Sequence, residues 1–263
     1  MQNSISNMEF NIFDVWGKLG ITEHPGGVCA TKKLIDLCDI KPGQYILNIG
    51  CGTGYTACLL AKKYHVDVIA SDINLKLLEH TRKRIIKEKV SNKVKVIEAD
   101  AHELIFPDNT FDAVIAEAVL VFCDKEKVAS EVYRVLKPGG VFGDNEVTYL
   151  KPPSDRLLDL LSSSVFTINF KPLPENQWRA IFRDAGFFDV SSKIYKYNLW
   201  EQLRSRLRAD GILKHFSALF KGLSDPTMRI PFFKKDTFKL LLNLFSSYFG
   251  YGLYLGRKIK EVT

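Results

Sequence analysis

The run Tyr45-Ile46-Leu47-Asn48-Ile49-Gly50-Cys51-Gly52-Thr53-Gly54-Tyr55 constrains this chain more than any other stretch. A short apolar segment meets glycines at alternate positions, and a helical pattern follows. That order predicts a buried parallel strand, a tight backbone turn and a helix N-terminus. Glycines there let the main chain approach a ligand where a side chain would clash. The helix aims free N–H groups and partial positive charge at the same point, which suits a carboxylate or a phosphate. A dinucleotide-binding turn places its third glycine three residues after the second. Here that position is Tyr55 and the third glycine is Gly54, so the pattern is G-x-G-x-G.

Further segments follow in order. Val66-Asp67-Val68-Ile69-Ala70-Ser71-Asp72 is an apolar run ending in an acid, and an acid at the tip of a second strand can accept from ribose hydroxyls. Val94 to Ala101 reads as a third strand ending at Asp100, and Phe111 to Glu117 as a fourth. Val135-Leu136-Lys137-Pro138-Gly139-Gly140 reads as the helix-to-strand turn ahead of a fifth. Across Gln44 to Thr148 the set resembles the class I S-adenosylmethionine-dependent methyltransferases, in their small-molecule branch, which includes the ubiquinone and menaquinone biosynthesis type. The resemblance extends through Tyr197. It implies S-adenosyl-L-methionine as cofactor, contacted by Gly50, Cys51, Gly52, Gly54, Asp72, Ile73, Asp100, Ala101 and Glu117. It further implies the cofactor's amino-acid end at the glycine loop, the ribose at Asp72 and the adenine at Asp100. One position departs from the family: Asn48 stands where Asp or Glu is usual, keeping polarity and reach but losing the charge.

The pattern of elements predicts helices over 9–20 and 26–39, strands over 45–49, 66–71, 94–98, 111–116 and 141–147, and helices between them. Further helices are expected over Asp155 to Ser162 and Glu175 to Ala185, a sixth strand over 189–196, and a last strand near Gly252 to Arg257, antiparallel to the sixth. Alternating βα units give an α/β fold. The expected architecture is a Rossmann-like, doubly wound, seven-stranded sheet, mostly parallel with an antiparallel last strand, plus a helical cap. The expected domains are N-terminal helices over 1–40, a methyltransferase core over 41–197 and 250–263, and an inserted cap over 198–249. The insertion is too long for a plain loop. Leu199, Trp200, Leu203 and Leu207 form an apolar stripe beside Arg204, Arg206 and Arg208; Leu213, Phe216, Leu219 and Phe220 repeat it, and Thr237 to Phe249 is apolar nearly all round.

In 263 residues there is room for one sizeable core with an elaboration. No secretory signal pattern opens the sequence and no apolar run reaches the length of a membrane span, so a cytoplasmic protein is expected. Five cysteines without a C-x-x-C read as reduced packing thiols, and no metal constellation is visible. Charge is uneven: from Lys151 onward there are 19 Lys and Arg against 10 Asp and Glu, in a chain of net charge +7. Such a balance suits a polyanion, an anionic membrane surface or an acidic substrate. Methyl transfer needs a base only if the acceptor sheds a proton; the candidates are Glu117, Glu146 and His24. The leading expectation is methylation of a small, hydrophobic acceptor (quinone-, lipid- or terpenoid-like), with peripheral contact to an anionic membrane as a further partner. Methylation of RNA is the rival, weakened because the basic residues alternate with large apolar ones and no RNA-binding module is evident. A non-catalytic cofactor-binding or membrane-surface protein is the other.

Overall fold

The computed structural model describes residues 17–22, 24–166, 169–213 and 247–260. The apolar runs form the strands expected of them. In chain order the elements are α1 (Gly27–Leu37), β1 (Tyr45–Ile49), α2 (Tyr55–Tyr64), β2 (Asp67–Asp72), α3 (Leu75–Glu88), β3 (Val94–Glu98) and β4 (Phe111–Glu117). After β4 a short 3-10 turn over Leu120–Phe122 leads to α4 (Lys125–Val135) and β5 (Leu136–Tyr149). Then come α5 (Asp155–Leu160), β6 (Leu173–Pro174), α6 (Glu175–Asp184), β7 (Phe188–Lys196), α7 (Leu199–Asp210) and β8 (Phe249–Arg257). Several helix starts are set by side-chain caps. Asn74 accepts from the N–H of Lys76 and Leu77, Asp124 from that of Lys127, and Asn198 from those of Trp200 and Glu201.

The strands lie in the order β3-β2-β1-β4-β5-β8-β7, with β6 paired to β5. Strands β1 to β5 are parallel, and β8 runs antiparallel to both β5 and β7. The chain winds outward from β1 to β3, then returns to place β4 on the other side of β1. The order therefore reverses between β1 and β4, and a ligand crevice opens beyond the C-terminal strand ends at such a point. Successive residues of a strand face opposite sides. Leu47, Ile49, Val114 and Ala116 pack under α4 and α6, whereas Ile46, Val68, Ala113 and Ile115 pack under α1, α2 and α3. Trp178 of α6 is fully buried, and its indole N–H donates to Val147 O at 3.1 Å, so its polar edge is satisfied inside the core.

Several boundaries differ from the sequence reading. Strand β5 begins at Leu136 and absorbs the Val135 to Gly140 turn, with a register shift opposite Phe111 and Ala113. The expected 155–162 helix ends as α5 at Leu160 and continues as a π-turn over Leu161–Phe166. The two-residue β6 was not foreseen, so the sheet has eight strands and not seven. Strand β8 opens at Phe249, so the insertion ends before it. In α7 Trp200 is 74% exposed, while Ser205 is buried. Ser205 meets α1 so closely that a Cβ on Gly27 would lie 2.4 Å from its own Cβ. Of the first expected helix, 17–19 are helical, Gly20 is a turn, and 9–16 fall outside the described residues. Phe216, Leu219, Phe220 and the 237–246 part of the later apolar stretch also fall outside them.

Candidate active site

The three glycine positions do different work. Gly50 has φ 59° and faces Val119, whose Cγ2 would lie 2.4 Å from an added Cβ; the turn after β4 seats itself on the missing side chain. Gly52 has φ 55°, and a Cβ there would meet nothing within 4 Å. Its freedom is therefore not used by packing within the protein; the space beside it is the ligand side of the loop. Around this loop is a cavity of about 60 Å³, whose lining includes His24, Asn48, Gly50, Cys51, Gly52 and Glu117. Asn48 donates to Ile115 O at 3.2 Å, but its Oδ1 is buried without a hydrogen-bond partner among the described residues. A buried acceptor left unpaired costs free energy, and this one lines a ligand cavity where a donor would relieve it.

Asp72 ends β2 beside the loop. Its Oδ2 accepts from Gly52 N and its Oδ1 from Asn74 N, both at 2.9 Å. Each carboxylate oxygen keeps a further lone pair for a hydroxyl donor. Burial pushes this carboxyl above its ordinary range, and the N–H groups of Asn74 and Gly52 pull it back. Asp100, half exposed, accepts from the N–H of His102 at 2.9 Å and from its Nδ1 at 2.7 Å. Those N–H bonds hold its carboxyl below the usual value. Ile73, at 65% exposed, and Asp100 and Ala101 stand outside the cavity around the glycine loop, along the strand tips leading away from it. Gly54 sits behind the loop as the N-cap of α2.

Glu117, at the tip of β4, is the centre of a buried polar network. Its Oε1 accepts from Thr56 Oγ1 at 2.6 Å, and its Oε2 accepts from Thr31 Oγ1 at 2.8 Å and from Asn145 Nδ2 at 3.4 Å. Thr31 Oγ1 also lies 3.1 Å from His24 Nε2. When Thr31 donates to Glu117, it accepts from the His24 Nε2–H, which leaves Nδ1 as the basic nitrogen. That Nδ1 stands 3.6 Å from Glu117 Oε2, so a proton arriving there meets a carboxylate. The structure thus brings two of the three base candidates together on the cavity wall.

Glu146 is elsewhere. It lies on the opposite face of β5 from Asn145, fully buried, and its Oε1 accepts from Val119 N at 2.9 Å and Leu120 N at 2.7 Å. Its other oxygen and both carboxylate oxygens of Asp144 are buried without partners. Burial pushes Glu146 up to about 7 and raises Asp144 well above the ordinary carboxylate value, Glu146 adding to the latter. Glu146 thus stands apart from His24 and Glu117: its carboxylate holds the turn after β4, whose Val119 contacts Gly50. Nor do these residues reach solvent at a sheet edge, because β5 runs between β4 and β8. The sequence reading missed Thr31 and Thr56, which with Asn145 hold Glu117, and Thr22, Arg84 and Asp210, which enclose Thr53. None stands in a motif; only the buried faces of their helices and strands could have drawn notice.

The Methyltransferase domain family matches residues 47–143, which hold β1 to the middle of β5 and the whole glycine loop. The uncharacterized methyltransferase YodH of Bacillus subtilis is 32% identical over 166 residues, covering 62% of this chain and 68% of that protein. The sterol 24-C-methyltransferase erg6 of Aspergillus fumigatus is 40% identical over 105 residues, 40% of this chain and 28% of that enzyme. This chain therefore matches only a part of the sterol enzyme. A phosphoethanolamine N-methyltransferase 2 of Haemonchus contortus, solved with phosphomonomethylethanolamine and S-adenosylhomocysteine, shares the fold at a TM-score of 0.74 and 22% identity, covering 94% of this chain and 57% of that one. With its ordered strand tips and G-x-G-x-G loop, the chain belongs to the class I S-adenosylmethionine-dependent methyltransferases. It is an enzyme of that family, and its cofactor is S-adenosylmethionine. No helix among the described residues is long and apolar enough to cross a membrane.

Proposed function

We propose that the acceptor is a small, largely hydrophobic molecule that sheds a proton from the atom to be methylated, and that His24 takes this proton. The observation that carries the reading is the His24–Thr31–Glu117 network on the wall of the glycine-loop cavity. S-adenosylmethionine, when bound, supplies a methyl group already activated on a sulfonium. The protein then has to orient the partners and exclude water, effects that supply roughly 7–11 kcal/mol of a barrier. Gly50, Cys51, Gly52 and Asn48 would hold the amino-acid end of the cofactor, Asp72 the ribose, and Asp100 with Ala101 the adenine. His24 accepts the acceptor's proton at Nδ1, and the Glu117 carboxylate stabilises the imidazolium. A general base is thereby paired with a carboxylate that meets its cation.

The hydrophobic character is supported by the apolar make-up of the 198–249 segment, proposed as a cap, and by the sterol substrate named for a relative. A quinone-, lipid- or terpenoid-like acceptor fits. Such molecules reside in membranes, and an open groove of about 600 Å³ joins Lys33, Lys196, Tyr195, Tyr197 and the exposed Trp200. Cations with interfacial aromatic side chains suit an anionic bilayer surface. The test supplies methyl-labelled cofactor with a cell extract fractionated into lipid, RNA and water-soluble pools. Label in an extractable lipophilic product, lost in His24→Asn while cofactor binding persists, is the expected result. Label in RNA or in a water-soluble phosphoamine, or full turnover by the variant, overturns it.

A further inference from the structure

We propose that Asp210 and Arg84 latch α7 onto the glycine loop, so that the inserted segment governs retention and exchange of the cofactor. The inference rests on the assignment of the glycine-loop cavity to S-adenosylmethionine and is independent of the acceptor. The sequence alone marks the insertion as a helical cap. The structure ties its first helix to the loop itself.

Arg84 lies on α3 and is only 11% exposed. Its Nε donates to Thr53 O at 2.8 Å, in the middle of the G-x-G-x-G turn. One terminal nitrogen donates to Ala209 O at 3.0 Å, a carbonyl in the last turn of α7 that has no later N–H within its helix. The other donates to Thr22 Oγ1 at 3.1 Å and pairs with Asp210 Oδ1. Asp210 is fully buried and closes the ring from the far side. It accepts from Thr22 N at 2.6 Å and Thr22 Oγ1 at 2.9 Å, and that hydroxyl touches Thr53 Oγ1 at 2.7 Å. A planar, multiply donating guanidinium can bridge loop, cover and helix end at once, which an ammonium could not. Gln202 adds a second tie from α7, donating to His24 O at 2.9 Å.

The consequence is steric. Thr22, His24 and Thr53 line the cavity, which measures about 60 Å³, whereas small-molecule sites run to roughly 300–1,000 Å³. Thr22 lies against Thr53, and Arg84 with Asp210 ties it to the end of α7; on this proposal the ring parts for entry of the cofactor and for release of the demethylated product. Asp210 and Arg84 are positioning residues: they touch the loop and its cover.

The test measures S-adenosylhomocysteine binding and stopped-flow release in the full chain without acceptor, for wild type, Asp210→Asn and Thr22→Val. Binding by the wild type checks the cavity assignment; the change in rate checks the latch. The expected result is release about tenfold faster or more in Asp210→Asn, with faster amide exchange across α7 in the cofactor-free chain. Thr22→Val, which keeps the ion pair, is expected to release several-fold faster and stands as the deciding variant if Asp210→Asn does not fold. Trp200→Ala, on the exposed side of α7, serves as the control and is expected to release at the wild-type rate. Wild-type release from a folded latch variant overturns the proposal.

Discussion

Replacing Glu146 by Gln tests how the turn after β4 is held. Glu146 is fully buried, and burial raises its pKa from 4.5 to about 7 against the pull of the Leu120 and Val119 N–H groups and the Lys125 ammonium. A carboxyl whose pKa is higher folded than unfolded holds its proton more tightly in the native state. Its contribution to stability is therefore complete below pH 4.5 and is lost as pH rises through about 7. The loss is on the order of a few kcal/mol, most of it falling between pH 5 and pH 8. Gln keeps an oxygen for Val119 N and Leu120 N but cannot ionise. Its amide hydrogens inherit a site where Oε2 had no partner, so Glu146→Gln lowers stability at pH 5. Yet its stability falls less from pH 5 to pH 8 than wild type's, by an amount on the order of a few kcal/mol. Urea unfolding at pH 5, 6, 7 and 8 measures this directly, provided the slope with denaturant is shared. Equal pH dependence in the two proteins would refute the argument, because the carboxyl would then not be taking up its proton on folding.

Two further outcomes concern the loop. Gly52→Val should abolish measurable cofactor binding by calorimetry: a branched residue at φ 55° carries backbone strain, and its side chain enters the open space beside the loop. Unchanged affinity in a folded variant would remove the loop from the site. Asp72→Ala should lose roughly 1.5–3 kcal/mol of cofactor affinity and free the Gly52 N–H it now holds; wild-type affinity would leave Asp72 a strand-end residue only.

Local chemistry in the chain determined most of the sheet. The apolar runs that became β1 to β4 fell within a residue of their observed ends, because a buried parallel strand is recognisable from its own composition. The glycine spacing was equally legible, since only glycine tolerates the positive φ at Gly52 without cost. Asp144 and Glu146 were visible as acids in an apolar strand, but not which way they faced. Their burial depended in part on β8 pairing along β5 and closing its free edge, a partner more than 100 residues away in sequence. The same holds for the site. Glu117 and His24 could be named as candidates, yet their meeting needed Thr31 on α1 to stand between them. Thr22, Arg84 and Asp210 carry no signal in their own neighbourhoods, being ordinary residues on a turn and two helices. They form one buried ring only because α7 folds back across α1 to the glycine loop. Side chains whose role is to bridge distant elements are specified by that packing, and no periodicity or spacing in the sequence records it.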